Sequence, residues 1–196
     1  NQLFEAAYQP MVDLFRANMR ACGALRIDHV MALLRLWWVP PGASAAKGAY
    51  IYYPVNDLLG ILALESHRNQ CLLIGEDLGT VPEGIDVTLK ENGVHSYKVF
   101  FFERSKGDGG FISPAHYTEQ AMSALTTHDM PTLKGFWHCD DLALGRELGL
   151  YPDEEVLKTL YADRHQAKQR ILDSLHAHGV ISGNISHDVN WVGMNT

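Results

Sequence analysis

The stretch Ala24-Leu25-Arg26-Ile27-Asp28-His29-Val30 is a short apolar run with charge planted inside it. Alternation along a strand puts Leu25, Ile27 and His29 on one face and Arg26 and Asp28 on the other. With Leu25 and Ile27 turned toward helices, Arg26 and Asp28 share the opposite face near the strand's C-terminal end. A cation two residues before a carboxylate favours its ionised form. A nucleophilic or charge-stabilising carboxylate requires that state. A structural ion pair at a strand end would use the same two residues.

Outward from this strand the chain alternates between helical and extended patterns. Before it, Leu3, Phe4, Ala7, Met11, Leu14, Phe15 and Met19 recur at helical spacing, which predicts a helix over 3–19. Arg16 and Arg20 fall in its last turns, where the helix dipole favours cations. Cys22-Gly23 ends it, so a helix feeds a strand through a short turn, half of an α/β unit. After the strand, residues 31–40 are apolar and aromatic, with Trp37 and Trp38, and Pro40-Pro41-Gly42 breaks the run. Residues 41–54 are expected to form a long loop without structure of its own. Such loops are usually functional or disordered, and Tyr50, Tyr52 and Tyr53 argue against disorder. Aromatic rings beside a cleft suit the apolar faces of sugars, though the same rings also serve to pack a loop onto its support.

Residues 55–68 read as a helix. Cys71-Leu72-Leu73-Ile74-Gly75-Glu76-Asp77-Leu78-Gly79 is a near-continuous apolar run ending in two acids, as expected of a parallel strand buried on both faces. Thr80-Val81-Pro82-Glu83 opens the next helix, and Asn92-Gly93 closes it. Residues 96–103 give a third strand and 123–129 a fourth, the latter again ending in an acid. A helix starts at Met130-Pro131-Thr132 with a joint at Asp140-Asp141, and 152–178 is a long helix. The expected strands therefore lie near 24–30, 71–78, 96–103 and 123–129. Asp28, Glu76 and Asp129 stand near the C-terminal ends of the first, second and fourth, where open α/β sheets and (β/α)8 barrels bind ligands. Asp28, Glu76 and Asp129 are expected to converge on one site.

Composition narrows the function class. The chain has 196 residues, 46% of them hydrophobic and 20% charged, enough for a sizeable core. A net charge of −7 argues against a nucleic-acid partner, which calls for a basic stripe. No run reaches the roughly 18 apolar residues of a membrane span, and no signal peptide opens the sequence, so a cytoplasmic location is expected. Cys22, Cys71 and Cys139 are odd in number and scattered, which reads as reduced core thiols rather than a disulfide frame. No CxxC or HExxH spacing signals a metal site, and no cofactor is expected. The chain opens on a helical pattern and stops at Trp191–Thr196 without capping residues, so a fragment of a larger catalytic domain is expected.

At Arg26-Ile27-Asp28-His29, Gly75-Glu76-Asp77-Leu78-Gly79 and Thr127-His128-Asp129, in that order and spacing, the chain resembles the 4-α-glucanotransferases, the amylomaltase or disproportionating enzymes of the α-amylase superfamily. The likeness extends over residues 36–40, Gly48-Ala49-Tyr50 and Tyr151-Pro152-Asp153-Glu154, nearly the whole chain, and leans toward the bacterial maltodextrin-type enzymes. It implies the C-terminal part of a (β/α)8 TIM barrel, with the four strands as its fourth to seventh and residues 1–196 as one partial catalytic domain. It implies Asp28 as the nucleophile, Glu76 as the general acid/base and Asp129 as the transition-state stabiliser. Arg26 would hold Asp28 ionised. His128 would bond sugar hydroxyls, and His29 and Asp77 are weaker candidates for substrate contacts. Tyr50 would serve the acceptor. The implied partners are a maltodextrin or α-1,4-glucan donor and a glucose or maltodextrin acceptor.

The residue types fit those roles. A retaining mechanism needs two carboxyl groups about 5–5.5 Å apart, one ionised and one protonated. Glu76 follows an apolar run and has Asp77 beside it, the surroundings that keep a carboxylic acid protonated. Three other readings use the same acids or rings: an α-glucan hydrolase or branching enzyme of the same superfamily, a metal-dependent barrel enzyme with the acids as ligands, and a carbohydrate-binding module.

Overall fold

The computed structural model describes residues 2–107 and 109–192. The elements run α1 (Gln2–Glu5), α2 (Gln9–Met19), β1 (Ala24–Ile27), β2 (Arg35–Trp38), β3 (Ala49–Tyr52), α3 (Val55–Asn69), β4 (Leu72–Gly75), α4 (Ile85–Glu91), β5 (Val94–Val99), β6 (Ala121–Ala124), α5 (Leu133–His138), α6 (Asp140–Glu147), α7 (Glu154–Ala177) and α8 (Val189–Val192). Four strands form one sheet in the order β1-β4-β5-β6. β1 pairs in parallel with β4 through Ala24↔Leu72 to Ile27↔Gly75. β4 pairs in parallel with β5 through Leu73↔Val94 and Ile74↔His95. β6 follows the same sense, since Ser96 N–H donates to the Gln120 carbonyl and Phe100 N–H to that of Ala124. The chain is an α/β structure around a parallel sheet, as expected.

Two compact units are built from this chain: residues 1–97 with 118–122, and 98–117 with 123–196. In the first, α2 and α3 pack together and bury Phe15, Met19, Leu58, Leu59 and Leu62 with Leu73 and Val94. Burial of a side chain of this size is worth about 1.5–3 kcal/mol, and that apolar layer holds β1 and β4 from behind. The second unit buries Phe101, Phe136, Ala167 and Ile171.

Several expected boundaries move, each for a local reason. The helix over 3–19 is broken: Ala7 and Tyr8 have φ of 47° and 57°, and α2 begins afresh with Pro10 in its first turn. A continuous helix would bring the Pro10 ring against the carbonyl four residues earlier. Tyr8 instead donates its hydroxyl to Asp57 on α3. The four strands are shorter than expected at their C-terminal ends. The acid Asp129 lies beyond β6 rather than at its tip. Residues 80–84 form a turn and α4 starts only at Ile85, after Gly84 at φ 78°. The loop over 41–54 is not structureless. β3 lies within it and pairs antiparallel with β2, Arg35↔Tyr52 to Trp38↔Ala49. The joint between α5 and α6 falls at Cys139, φ 61°, one residue before Asp140-Asp141.

All three cysteines are free thiols. Cys71 is buried, but Cys22 and Cys139 are only half-buried, and Cys22 Sγ lies 3.7 Å from Cys71 Sγ because β1 and β4 start side by side. Among the described residues no helix is long and apolar enough to cross a membrane. Residues 193–196, which include most of the uncapped end noted in the sequence, lie outside the described residues.

Candidate active site

The parallel pairing of β1 and β4 brings two chain ends out of the sheet together, with Ile27 opposite Gly75. Gly75 allows this close packing, since a Cβ would press at 3.0 Å on methyls of both Val30 and Val94, which would have to give way. The next residue, Glu76, is strapped to the turn after β1. Its N–H donates to the Ile27 carbonyl at 2.9 Å, and its own carbonyl accepts from Val30 N–H at 3.0 Å. Its carboxyl is held as well: Oε2 accepts from His29 N–H at 2.7 Å and Oε1 from Leu78 N–H at 2.9 Å. Each oxygen retains a second lone-pair position, which can carry a proton to be donated to a glycosidic oxygen.

Asp28 sits inside that same turn, between Ile27 and His29. Arg26 Nη1 lies 2.8 Å from Asp28 Oδ1, so the two residues share a face as their spacing predicts. The Asp28 side chain is 77% exposed, free for a ligand to approach. His29 does not continue the alternation with Leu25 and Ile27. It adopts φ 45°, ψ 61°, a left-handed conformation few non-glycine residues take, and this turn aims its N–H at Glu76. The contribution of His29 visible here is its backbone.

Asp77 turns away from its neighbour: its Oδ1 accepts the Tyr97 N–H at 3.0 Å. Tyr50 stands on β3, opposite Trp37, with edge-to-face rings at 5.0 Å and the Arg35 guanidinium 3.9 Å from its ring centre. Arg26, Asp28, His29, Glu76 and Asp77 are thus gathered at the ends of β1 and β4, while Tyr50 belongs to the β2–β3 hairpin. Thr127-His128-Asp129 lies in the second unit. There His128 Nε2 is 3.3 Å from Asp129 Oδ1, the Thr127 hydroxyl accepts from Asp129 N–H at 3.2 Å, and the His128 and Asp129 side chains are exposed. Sequence reasoning missed Tyr97 and Arg35, both aromatic or cationic partners at strand positions. Alternation around Tyr97 in 96–103 was the available signal. Among the described residues no group of three or more His, Cys, Asp or Glu is placed to hold a metal ion.

The 4-alpha-glucanotransferase family model matches residues 1–196. The chain belongs to that family. It is 49% identical over 169 residues to the 4-alpha-glucanotransferase of Haemophilus influenzae, covering 86% of this chain and 24% of that protein. It is 38% identical over 169 residues to the enzyme of the same name from Mycobacterium tuberculosis, covering 84% of this chain and 23% of that protein. The crystal structure of amylomaltase from Corynebacterium glutamicum superposes with a TM-score of 0.86 at 32% identity, over 95% of this chain and 27% of that one. The chain spans about a quarter of the length of these relatives. Its parallel four-stranded sheet is part of a larger amylomaltase-like catalytic domain.

Proposed function

We propose that the complete protein is a 4-α-glucanotransferase that moves a segment of a 1,4-α-glucan to the 4-hydroxyl of glucose or a maltodextrin, with retention. The observation that carries this reading is the strapping of Glu76 to the turn that holds Asp28. The Glu76 carboxyl is held by backbone N–H groups, one of them from the residue after Asp28, which sets the two acids on neighbouring turns as a double displacement needs. Family membership supports the same chemistry.

In the first step the Asp28 carboxylate attacks the anomeric carbon. The glycosidic bond breaks, and Glu76 gives its proton to the departing oxygen. In the second step Glu76 takes the proton of the acceptor hydroxyl, that oxygen bonds to the anomeric carbon, and the bond to Asp28 breaks. Asp129 offsets positive charge on the ring in both transition states, and His128 bonds sugar hydroxyls. Arg26 keeps Asp28 oriented. His29 gives its backbone N–H to Glu76 and Asp77 takes the Tyr97 N–H, while the His29 imidazole and the second Asp77 oxygen are candidates for substrate contacts, and Tyr50 serves the acceptor. In this reading β1, β4, β5 and β6 are the fourth to seventh strands of a (β/α)8 barrel, and residues 1–196 are part of one catalytic domain. The free thiols fit a reducing compartment, the cytoplasm.

The test is Asp28→Ala in the complete protein, assayed for disproportionation of maltotriose. A loss of several orders of magnitude with folding intact is expected. Wild-type enzyme should convert maltotriose to glucose and longer chains. Maltose and glucose alone would indicate a hydrolase instead.

A further inference from the structure

We propose that Tyr97 is a positioning residue for the nucleophile: its ring holds the Arg26 guanidinium that pairs with Asp28. The inference rests on the catalytic reading above. Arg26 Cζ lies 5.2 Å from the centre of the Tyr97 ring, within the range of a cation–π contact. Arg26 Nε is buried and has no hydrogen-bond partner among the described residues. The hold on this guanidinium is therefore Asp28 at one end, through Nη1, and the Tyr97 ring. Asp28 is largely exposed and cannot by itself keep a long, flexible side chain still. Tyr97 can, because it is 7% exposed and anchored by its backbone.

The anchor is specific. The registered pairs of β4 with β5 end at Ile74↔His95. Two residues on, the Asp77 carboxylate takes the Tyr97 N–H at 3.0 Å, a side chain standing in for the next rung of the ladder. The same bond ties Tyr97 to the residue after Glu76. An order of support results: Asp77 fixes Tyr97, Tyr97 fixes Arg26, and Arg26 fixes Asp28. Tyr97 touches no reacting atom in this scheme. It acts through Arg26 on the first covalent step.

The experiment separates the nucleophile from the acid/base. With an α-maltotriosyl fluoride donor the C1–F bond breaks as the Asp28–C1 bond forms. Fluoride leaves with its electron pair and needs no proton from Glu76. Single-turnover fluoride release in the complete enzyme therefore reads Asp28 alone. Tyr97→Leu should lower that rate about tenfold, the scale of a desolvated cation–π contact, and lower kcat on maltotriose with KM little changed. Tyr97→Phe, which keeps the ring, should restore both. If the leucine variant fails to fold, 3,4,5-trifluorophenylalanine at position 97 keeps the size of phenylalanine and weakens the negative face of the ring. It should release fluoride more slowly than the phenylalanine variant.

Fluoride release at the wild-type rate in Tyr97→Leu would overturn the inference, even with maltotriose turnover impaired. So would equal rates for the fluorinated and plain phenylalanine variants, or equal losses in Tyr97→Phe and Tyr97→Leu. If Asp28→Ala still released fluoride in a single turnover, the catalytic reading itself would fail. A dead Asp28→Ala beside indifferent Tyr97 variants would sink only the role given to Tyr97.

Discussion

His29 separates two contributions that a single alanine substitution would confuse. Its imidazole is a candidate for sugar contact, but its backbone carries the N–H that Glu76 accepts, in a left-handed conformation. Glycine adopts that conformation freely, so His29→Gly should keep the Glu76 bond and alter stability by no more than about 1 kcal/mol. His29→Val places a β-branched side chain at positive φ and should cost about 1–2 kcal/mol. Urea denaturation of the two variants checks this, and equal stabilities would contradict the role of the turn. The Arg26–Asp28 pair was legible from two-residue spacing alone, because both partners sit on one short strand and the turn that ends it. The bend at His29 was not. It depends on a carboxylate 47 residues later in the chain, and nothing local in Asp28-His29-Val30 announces it.

The packing of α2 on α3 contains the one deeply buried carboxylate among the described residues. Glu65 is 1% exposed and accepts two bonds from Arg16 and one from Arg68 at 2.8–2.9 Å. The Arg16 hydrogen bonds, opposed by burial, hold its carboxyl down at about 2, below the ordinary value of 4.5. A depressed folded-state value means stability that is complete above about pH 4.5 and is lost as the pH falls toward 2. Glu65→Gln should therefore lower stability by about 1–3 kcal/mol at neutral pH. The difference in melting temperature from wild type should shrink steadily between pH 4.5 and pH 2. A difference that stayed constant over that range would show that the charge is not what α3 contributes. At the hairpin, a Cβ on Gly48 would overlap the Trp37 indole. Gly48→Ala should disturb the Trp37–Tyr50 pair and show as a change in near-ultraviolet circular dichroism and tryptophan emission, while far-ultraviolet signal stays. The helices and the buried strand β4 were legible from period and from the apolar run. The β2–β3 pairing was not, because the long connection over 39–48 hides a register that only Trp37 opposite Tyr50 reveals.

For the whole molecule, the four strands of the sheet could be read from sequence because each contains a local apolar run, whereas the passage from β5 to β6 without an intervening α-helix could not. Which strands flank the sheet could not, since pairing is decided by residues far apart. β1 and β6 stand at the two ends of the order β1-β4-β5-β6. An end strand presents unpaired N–H and C=O groups on its outer side, a template for another chain. Leu36, Trp38, Ile51 and Phe4 are also exposed. Relatives about four times as long supply much more chain to such a sheet. Residues 1–196 expressed alone should therefore self-associate, with an apparent mass by light scattering that rises with protein concentration. Disproportionation of maltotriose should be below detection, because the sheet is only part of a larger catalytic domain and the chain spans about a quarter of its relatives' length. Adding a high concentration of maltodextrin should not restore turnover, since substrate binding cannot cap a strand edge. A monodisperse, active 196-residue chain would show that its sheet needs no further strands, and the barrel placement of β1 and β6 would have to be abandoned.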